Sequence, residues 1–168
     1  EENFSYETVF RYLRSGFSGI STEEADILEN YCLALGIRGF KKYSEKWIRF
    51  SKNMTDAELQ IVNEIRVKFY DSVKDAALIL KSKNETITRK CTVIYEFLEK
   101  LEVEKQLSIK EDEFLDAGDA VMAKEYHQIF RVSMELLEKY VALPGQEMVS
   151  LEENSELLDA GCAEVEVA

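Results

Sequence analysis

The chain has 168 residues, of which 46% are apolar and 32% are charged, and its formal net charge is −12. This length fits one domain with a hydrophobic core, and the balance of apolar and charged residues argues against a disordered chain. Proteins that coat nucleic acid have basic surfaces, so the acidic balance argues against that class while leaving room for a local basic patch.

Helix start and stop signals divide the chain into eight predicted helices. Ser21, Thr55 and Ser150 are each followed three residues later by Glu, which is the spacing of a reciprocal capping box. Gly36 and Gly161 each follow a leucine-rich segment and are suited to a left-handed C-terminal stop. The predicted helices cover residues 5–14, 22–35, 40–50, 56–82, 86–102, 104–117, 119–142 and 150–160.

Apolar residues recur at intervals of three and four within the longer helices, which is the spacing of one helical face. The three stripes consist of Val62, Ile65, Phe69, Val73, Ala76 and Leu80; of Ile87, Cys91, Ile94, Leu98 and Leu101; and of Met122, Tyr126, Ile129, Ser133, Leu137 and Tyr140. Gly118 is predicted to break or kink the helical segment around it. Strand-like alternation occurs only in the last residues, 163–168. We therefore predict an all-α fold, an antiparallel multi-helix bundle.

We treat residues 1–168 as a single helical subdomain with three parts. Residues 1–54 contain the first helices and a basic segment rich in aromatic residues. Residues 55–143 form long antiparallel helices. Residues 144–168 form an acidic C-terminal helix and tail, with seven acidic residues and no basic one.

The basic segment, residues 38–52, is the best candidate for a binding surface. It contains six Lys or Arg residues and one acid, and its aromatic residues are Phe40, Tyr43, Trp47 and Phe50. Basic side chains neutralise phosphates, and exposed aromatic faces stack on unpaired bases. The predicted contacts to DNA or to a neighbouring domain are Arg38, Lys41, Lys42, Lys46 and Arg49. The alternative is that Trp47 and Phe50 belong to the core and that the basic side chains solvate the outer face of a helix.

Two further features have structural explanations. The sequence from Gly36 to Gly39 matches the G-x-x-G loop of KH domains, but that module needs flanking strands and none is predicted. A helix stop followed by a tight turn explains both glycines. His127 is the only histidine and has no Cys or second His close to it in sequence, so we predict a structural histidine at a surface or boundary.

The sequence offers no catalytic, cofactor-binding or metal-binding residue. It contains no G-x-x-x-x-G-K-[ST] phosphate loop, no Cys cluster and no arrangement for covalent catalysis, so we expect the chain itself to have no enzymatic activity. Cys32, Cys91 and Cys162 are odd in number and far apart, which indicates reduced thiols. No apolar run is long enough to span a membrane, and the first residues are acidic, so we predict a cytoplasmic location with no membrane contact.

Several motifs resemble those of a known family. Val9–Gly16 reads VFRYLRSG, Leu28–Gly39 reads LENYCLALGIRG, and Trp47 closes this region. These segments are similar to the B subunit of the bacterial ATP-dependent helicase/deoxyribonuclease, the AddB/RexB family. The similarity continues through Val93–Leu98, Gly118–Tyr126 and Leu157–Gly161, while Phe17 and Cys32 stand where other apolar residues are expected.

The resemblance implies an internal helical region of that subunit, placed like the 2B insertion of a superfamily 1 (UvrD-like) helicase. The family's enzyme processes double-strand DNA breaks for recombinational repair and responds to a Chi sequence. The resemblance implies ATP, Mg²⁺ and an iron–sulfur cluster as cofactors of the parent enzyme, with none of them in this chain. It implies DNA, the A subunit and the motor domains of the same polypeptide as partners. A stand-alone helical module for protein–protein interaction is the alternative.

Overall fold

The computed structural model describes residues 4–142 and 150–163, except for the side chains of residues 151, 154 and 161–163. The described residues form α-helices without any strand, which confirms the all-α prediction for this part of the chain. The helices are α1 (Tyr6–Leu13), α2 (Thr22–Leu35), α3 (Phe40–Ser44), α4 (Asp56–Lys81), α5 (Ile87–Lys100), α6 (Val103–Asp116), α7 (Ala120–Ala142) and α8 (Leu151–Ala163). No helix among these residues is long and apolar enough to cross a membrane. The alternation predicted at the chain end falls almost wholly outside the described residues.

Most sequence signals for helix ends are confirmed. The Ser21 hydroxyl accepts a hydrogen bond from the Glu24 N–H at 3.2 Å, and the Glu24 carboxylate accepts one from the Ser21 N–H at 2.7 Å. The same reciprocal box closes the starts of α4 and α8. Gly36 ends α2 with a left-handed φ of +67°, which costs a glycine little because it has no Cβ.

The prediction that Gly161 stops a helix is wrong, because α8 continues to Ala163. A glycine inside a helix costs only about 1 kcal/mol relative to alanine, so a lone glycine does not force an end. Gly118, in contrast, separates α6 from α7 with φ +80°, and the predicted break is confirmed.

The chain forms two compact units, Glu1–Lys74 and Asp75–Ala168, and the boundary between them lies within α4. The organisation as one subdomain with three parts stays a prediction. The core of the first unit contains a cluster of aromatic rings beside its aliphatic side chains. The Tyr43 ring meets the Phe69 ring edge-on at 5.1 Å, and the Phe4 and Phe40 rings lie 4.8 Å apart. Each aromatic side chain buries about 150–250 Å², so these rings supply much of the unit's hydrophobic area.

The core of the second unit lies where α7 packs on α5 and α6. Its buried members are Ile87, Cys91, Met134 and Leu137, with Ile94, Leu98, Phe130, Tyr140 and Leu158 packed against them. The Phe114 ring, near the end of α6, lies 5.2 Å from the Tyr126 ring, near the start of α7, so these two helices are antiparallel.

The predicted stripes are only partly confirmed. Val62, Ile65, Phe69 and Val73 of α4 are all buried. On α7, Ile129 of the predicted stripe is 47% exposed, whereas Met134 and Leu136 are buried. Because α7 contacts three other helices (α5, α6 and α8), their positions decide which of its faces is covered, and the apolar period alone does not.

Candidate nucleic-acid interface

The basic segment begins at the turn between α2 and α3. Gly36 and Gly39 have φ of +67° and +86°, and the Gly39 N–H donates to the Phe4 carbonyl at 3.2 Å. Arg38 lies between the two glycines and is exposed. This turn joins two helices and no strand flanks it among the described residues, so it lacks the frame of a KH loop.

Helix α3 is short because side chains occupy its C-terminal carbonyls. The helix predicted over residues 40–50 begins at Phe40 as expected, but its extension beyond Ser44 is wrong, since Glu45 has an extended backbone with ψ 142°. The Tyr43 carbonyl accepts from the guanidinium of Arg66, and the Lys42 carbonyl accepts from the Trp47 indole N–H at 2.8 Å. In a longer helix these carbonyls would accept from backbone N–H groups instead.

Trp47 fixes the segment to the core. Its ring is 5% exposed and stacks on Tyr31, with centroids 5.0 Å apart and planes 12° from parallel. The guanidinium carbon of Arg66 lies 5.8 Å from the centre of the indole ring. The interpretation of Trp47 as a core residue is therefore confirmed.

The four aromatic residues of the basic segment divide into two groups. Phe40, Tyr43 and Trp47 are buried, at 9%, 1% and 5% exposure. Phe50 is 50% exposed, and its neighbour Ile48 is 74% exposed. The interpretation of Phe50 as core is therefore wrong, because the chain leaves the helical path at Glu45 and helical spacing no longer applies.

The five predicted contact residues are all exposed. Lys42 Nζ lies 3.3 Å from Glu45 Oε2 in an exposed ion pair. Within the described part of the chain, the other four make no ion pair; they are Arg38, Lys41, Lys46 and Arg49. Lys52 is also exposed. The segment thus presents a group of uncompensated positive charges beside two exposed apolar side chains.

The charge of the chain is divided unevenly between the two units. Residues 1–74 contain 11 basic and 12 acidic residues, whereas residues 75–168 contain 10 basic and 21 acidic residues. The second unit therefore carries nearly all of the net negative charge and repels polyanions. The basic segment lies in the first unit, where acidic and basic residues are nearly balanced.

A groove opens on one side of the segment and was not foreseen from the sequence. It has a volume of about 800 Å³ and lies between residues 46–48 and the first half of α4. Its apolar surface comes from Ile48, Leu59 and Val67, and its acidic side chains are Asp56 and Glu64. Asn63 and Arg66, which hold the segment in place, also line it. No sequence signal links these two α4 residues to Trp47, because the contacts form only when α4 folds back against the segment.

The described residues do not supply a metal or nucleophile site. Burial raises the pKa of the Cys32 thiol to about 11 and also raises that of Cys91, so both remain neutral thiols. No group of three or more His, Cys, Asp or Glu residues within the described part could hold a metal ion. A ligand set for Mg²⁺ or for an iron–sulfur cluster, which the resemblance implies for the parent enzyme, is therefore not found among the described residues.

His127 lies on the surface of α7. Its Nδ1 is 3.1 Å from Glu111 Oε2 on α6, and its side chain is 65% exposed. The pair borders a groove of about 430 Å³ between α6 and α7. An exposed histidine with one carboxylate partner is typical of a helix surface.

Sequence comparisons relate this chain to a segment of much longer proteins. The B subunit of the ATP-dependent helicase/deoxyribonuclease of Clostridium acetobutylicum is 35% identical over 173 residues, which cover 97% of this chain and 15% of that protein. The same protein of Clostridium novyi is 36% identical over 160 residues, covering 95% of this chain and 14% of that protein. The B subunit of Caldanaerobacter subterraneus is 36% identical over 177 residues, which cover 99% of this chain and 15% of that protein. No protein-family model matches the chain.

The chain is thus homologous, over nearly its whole length, to one segment of ATP-dependent helicase/deoxyribonuclease B subunits, and the resemblance in its motifs is confirmed. It spans about 15% of the length of the curated relatives it matches.

Proposed function

We propose that this chain is a helical subdomain of an ATP-dependent helicase/deoxyribonuclease B subunit and that it positions DNA and neighbouring domains during repair of double-strand breaks in the cytoplasm. The observation that carries the proposal is that 95–99% of the chain aligns with these subunits at 35–36% identity. Because the relatives are B subunits, a second subunit is implied, and we take it as a partner together with DNA. ATP turnover and strand cleavage belong to other parts of the enzyme. The described residues form helices and connecting loops without any strand, which is compatible with a 2B-like insertion.

The DNA contact is proposed for the basic segment of the first unit. Arg38, Lys41, Lys46 and Arg49 are exposed and have no ion-pair partner in the described part of the chain, so a phosphate would not have to displace a carboxylate already bound to them. The acidic second unit would stay away from DNA and face protein neighbours. A stand-alone interaction module is less favoured, since the relatives contain this sequence as a small share of a larger polypeptide.

The proposal is tested with two variants, each of which replaces four basic residues by Gln in a different part of the chain. In one variant Arg38, Lys41, Lys46 and Arg49 become Gln. In the matched control, four exposed lysines of the second unit become Gln: Lys83, Lys100, Lys124 and Lys139. Binding of the 168-residue chain to labelled DNA is measured by fluorescence anisotropy over a range of salt concentrations.

We expect the first variant to bind more weakly, with the slope of log K against log salt reduced by about 0.7–0.9 for each charge removed. The control should retain binding or weaken it only slightly, because it makes the net charge more negative by the same amount without changing the basic segment. Equal losses in the two variants, or no loss in either, would contradict a DNA contact at the basic segment. ATPase or nuclease activity of the 168-residue chain would contradict its proposed passive role.

A further inference from the structure

Two large apolar side chains in the basic segment are exposed without a covering element. Ile48 is 74% exposed and Phe50 is 50% exposed, and the groove beside them adds Val67 at 43%. Neighbouring exposed apolar side chains of this size mark binding surfaces more often than single ones do. The basic residues interleaved with them in sequence are Lys46, Arg49 and Lys52, all exposed.

The backbone of this segment is held in place before any ligand binds. The Asn63 side chain bonds both the N–H and the carbonyl of Trp47, at 3.0 and 2.8 Å. The Tyr31 hydroxyl donates to the Arg49 carbonyl at 2.7 Å. The held residues, Trp47 and Arg49, lie on either side of Ile48, and Arg49 directly precedes Phe50. A ligand that contacts Ile48 and Phe50 therefore meets a preorganised backbone, and less binding free energy is spent on ordering it.

We propose that residues 46–52 form a contact for single-stranded DNA, in which Phe50 stacks on an unpaired base and Ile48 packs against an adjacent nucleotide. Lys46, Arg49 and Lys52 neutralise the phosphates on either side. This inference rests on the proposed function, which assigns DNA to the basic segment, and narrows it to an unpaired strand. Base faces are available to an aromatic side chain only where the strand is unpaired, because in a duplex they are covered by neighbouring base pairs.

The charges around the segment favour one path for the strand. Asp56 and Glu64 line the groove on the α4 side and repel phosphates. The α4 side of the groove also has Arg66 and Lys68, but Arg66 donates to the Tyr43 carbonyl and Lys68 pairs with Glu24. The basic side chains of the segment, Lys46, Arg49 and Lys52, have no ion-pair partner in the described part. The phosphates of the strand therefore lie along the segment, and the groove binds only uncharged parts of a nucleotide.

The test compares two DNA ligands against variants at Phe50. The 168-residue chain is titrated into a labelled dT oligomer of about 20 nucleotides and into a duplex of the same length, at about 50 mM salt, with anisotropy as the readout. The variants are Phe50→Ala, Phe50→Trp and Ile48→Ala. The control is Leu115→Ala, which removes a side chain of similar exposure (52%) in the second unit. Because these side chains are exposed, far-UV circular dichroism should show unchanged helix content.

Phe50→Ala should weaken binding of the dT oligomer about tenfold and binding of the duplex less than about twofold. Phe50→Trp should retain the affinity for the dT oligomer, since indole also stacks on bases. Leu115→Ala should leave the affinity for both DNA ligands unchanged. If Phe50→Ala lowers both affinities equally or neither, the inference is wrong. The proposed function still stands in that case if the variant with four charges removed from the basic segment binds both DNA ligands more weakly. Ile48 and Phe50 are then assigned to a contact with a protein neighbour. If wild-type chain binds neither ligand, both proposals fail.

Discussion

The side-chain amide of Asn63 bonds both backbone groups of Trp47: its Oδ1 accepts from the Trp47 N–H at 3.0 Å and its Nδ2 donates to the Trp47 carbonyl at 2.8 Å. Nδ2 also donates to the Leu59 carbonyl of α4 at 3.0 Å. One side chain on a helix thus satisfies the polar groups of a segment that has no regular structure. The basic surface depends on this pair for its position.

Asn63→Ala should reduce the free energy of unfolding by about 1–3 kcal/mol, because it leaves the partly buried N–H and carbonyl of Trp47 without partners. Urea unfolding followed by tryptophan fluorescence measures this directly, since Trp47 is the only tryptophan. Gln60→Ala, on an exposed position of the same helix, is the control and should cost less than about 0.5 kcal/mol. Equal costs for the two substitutions would show that the Asn63 bonds contribute nothing.

Arg66→Lys should be strongly destabilising although it preserves charge. The Arg66 guanidinium is buried, donates to the Tyr43 carbonyl and to Asn63 Oδ1, and lies over the Trp47 ring. An ammonium cannot make these planar contacts together, so we expect a loss of about 2–4 kcal/mol. The measurement is again urea unfolding by tryptophan fluorescence, with exposed Lys52→Arg as a charge-preserving control. A loss below about 0.5 kcal/mol would mean that Arg66 does not hold the segment.

Glu24→Gln should remove a pH-dependent contribution to stability. Hydrogen bonds from Lys68 and then from the Ser21 N–H lower the pKa of Glu24 in the folded chain. A carboxylate with a depressed folded pKa adds stability above its unfolded pKa of about 4.3, and this stability is lost as the pH falls through the folded value. Because the pair with Lys68 is partly solvated, the effect at pH 7 is about 0.5–1 kcal/mol.

The comparison of wild type with Glu24→Gln is made by urea unfolding at several pH values from neutral to acidic. The difference should be present at pH 7 and disappear in acid. Glu23→Gln, at the exposed neighbouring position, should match wild type throughout. A difference between wild type and Glu24→Gln that does not change with pH would contradict the role of the charge.

Lys90 should make the second unit more stable as the solution becomes alkaline. Its side chain is buried, its Nζ donates to the Leu80 carbonyl near the end of α4 at 2.9 Å, and desolvation lowers its pKa against the opposing effect of nearby Glu153, Glu85 and Glu152. Between the lowered folded pKa and the unfolded value of about 10.4, the unfolded chain binds more protons, so stability rises with pH.

Lys90→Met keeps the length of the side chain and removes its titration. Thermal unfolding by circular dichroism across the alkaline range should show wild type gaining stability relative to Lys90→Met as the pH rises. Exposed Lys100→Met should remain parallel to wild type. Parallel curves for wild type and Lys90→Met would indicate that the Lys90 ammonium is effectively solvated.

Local chemistry in the sequence was sufficient to predict the all-α class and most helix ends. The capping pairs, such as Ser21 with Glu24, use groups only three residues apart, so their hydrogen bonds can be inferred without knowing the fold. The left-handed end of α2 at Gly36 follows from a glycine in the right place. The basic character of residues 38–52 and the similarity to helicase/deoxyribonuclease B subunits are likewise properties of the linear chain.

The shape of the candidate interface required tertiary contacts. Trp47 and Phe50 have helical spacing, but one is buried and the other is half exposed, because Arg66 and the indole of Trp47 itself take the carbonyls that a longer α3 would need. Asn63 then holds the departing chain from a position 16 residues away. Short-range patterns determine where helices begin, whereas competition for backbone hydrogen bonds by side chains distant in sequence determines which residues of the basic segment are exposed to a ligand.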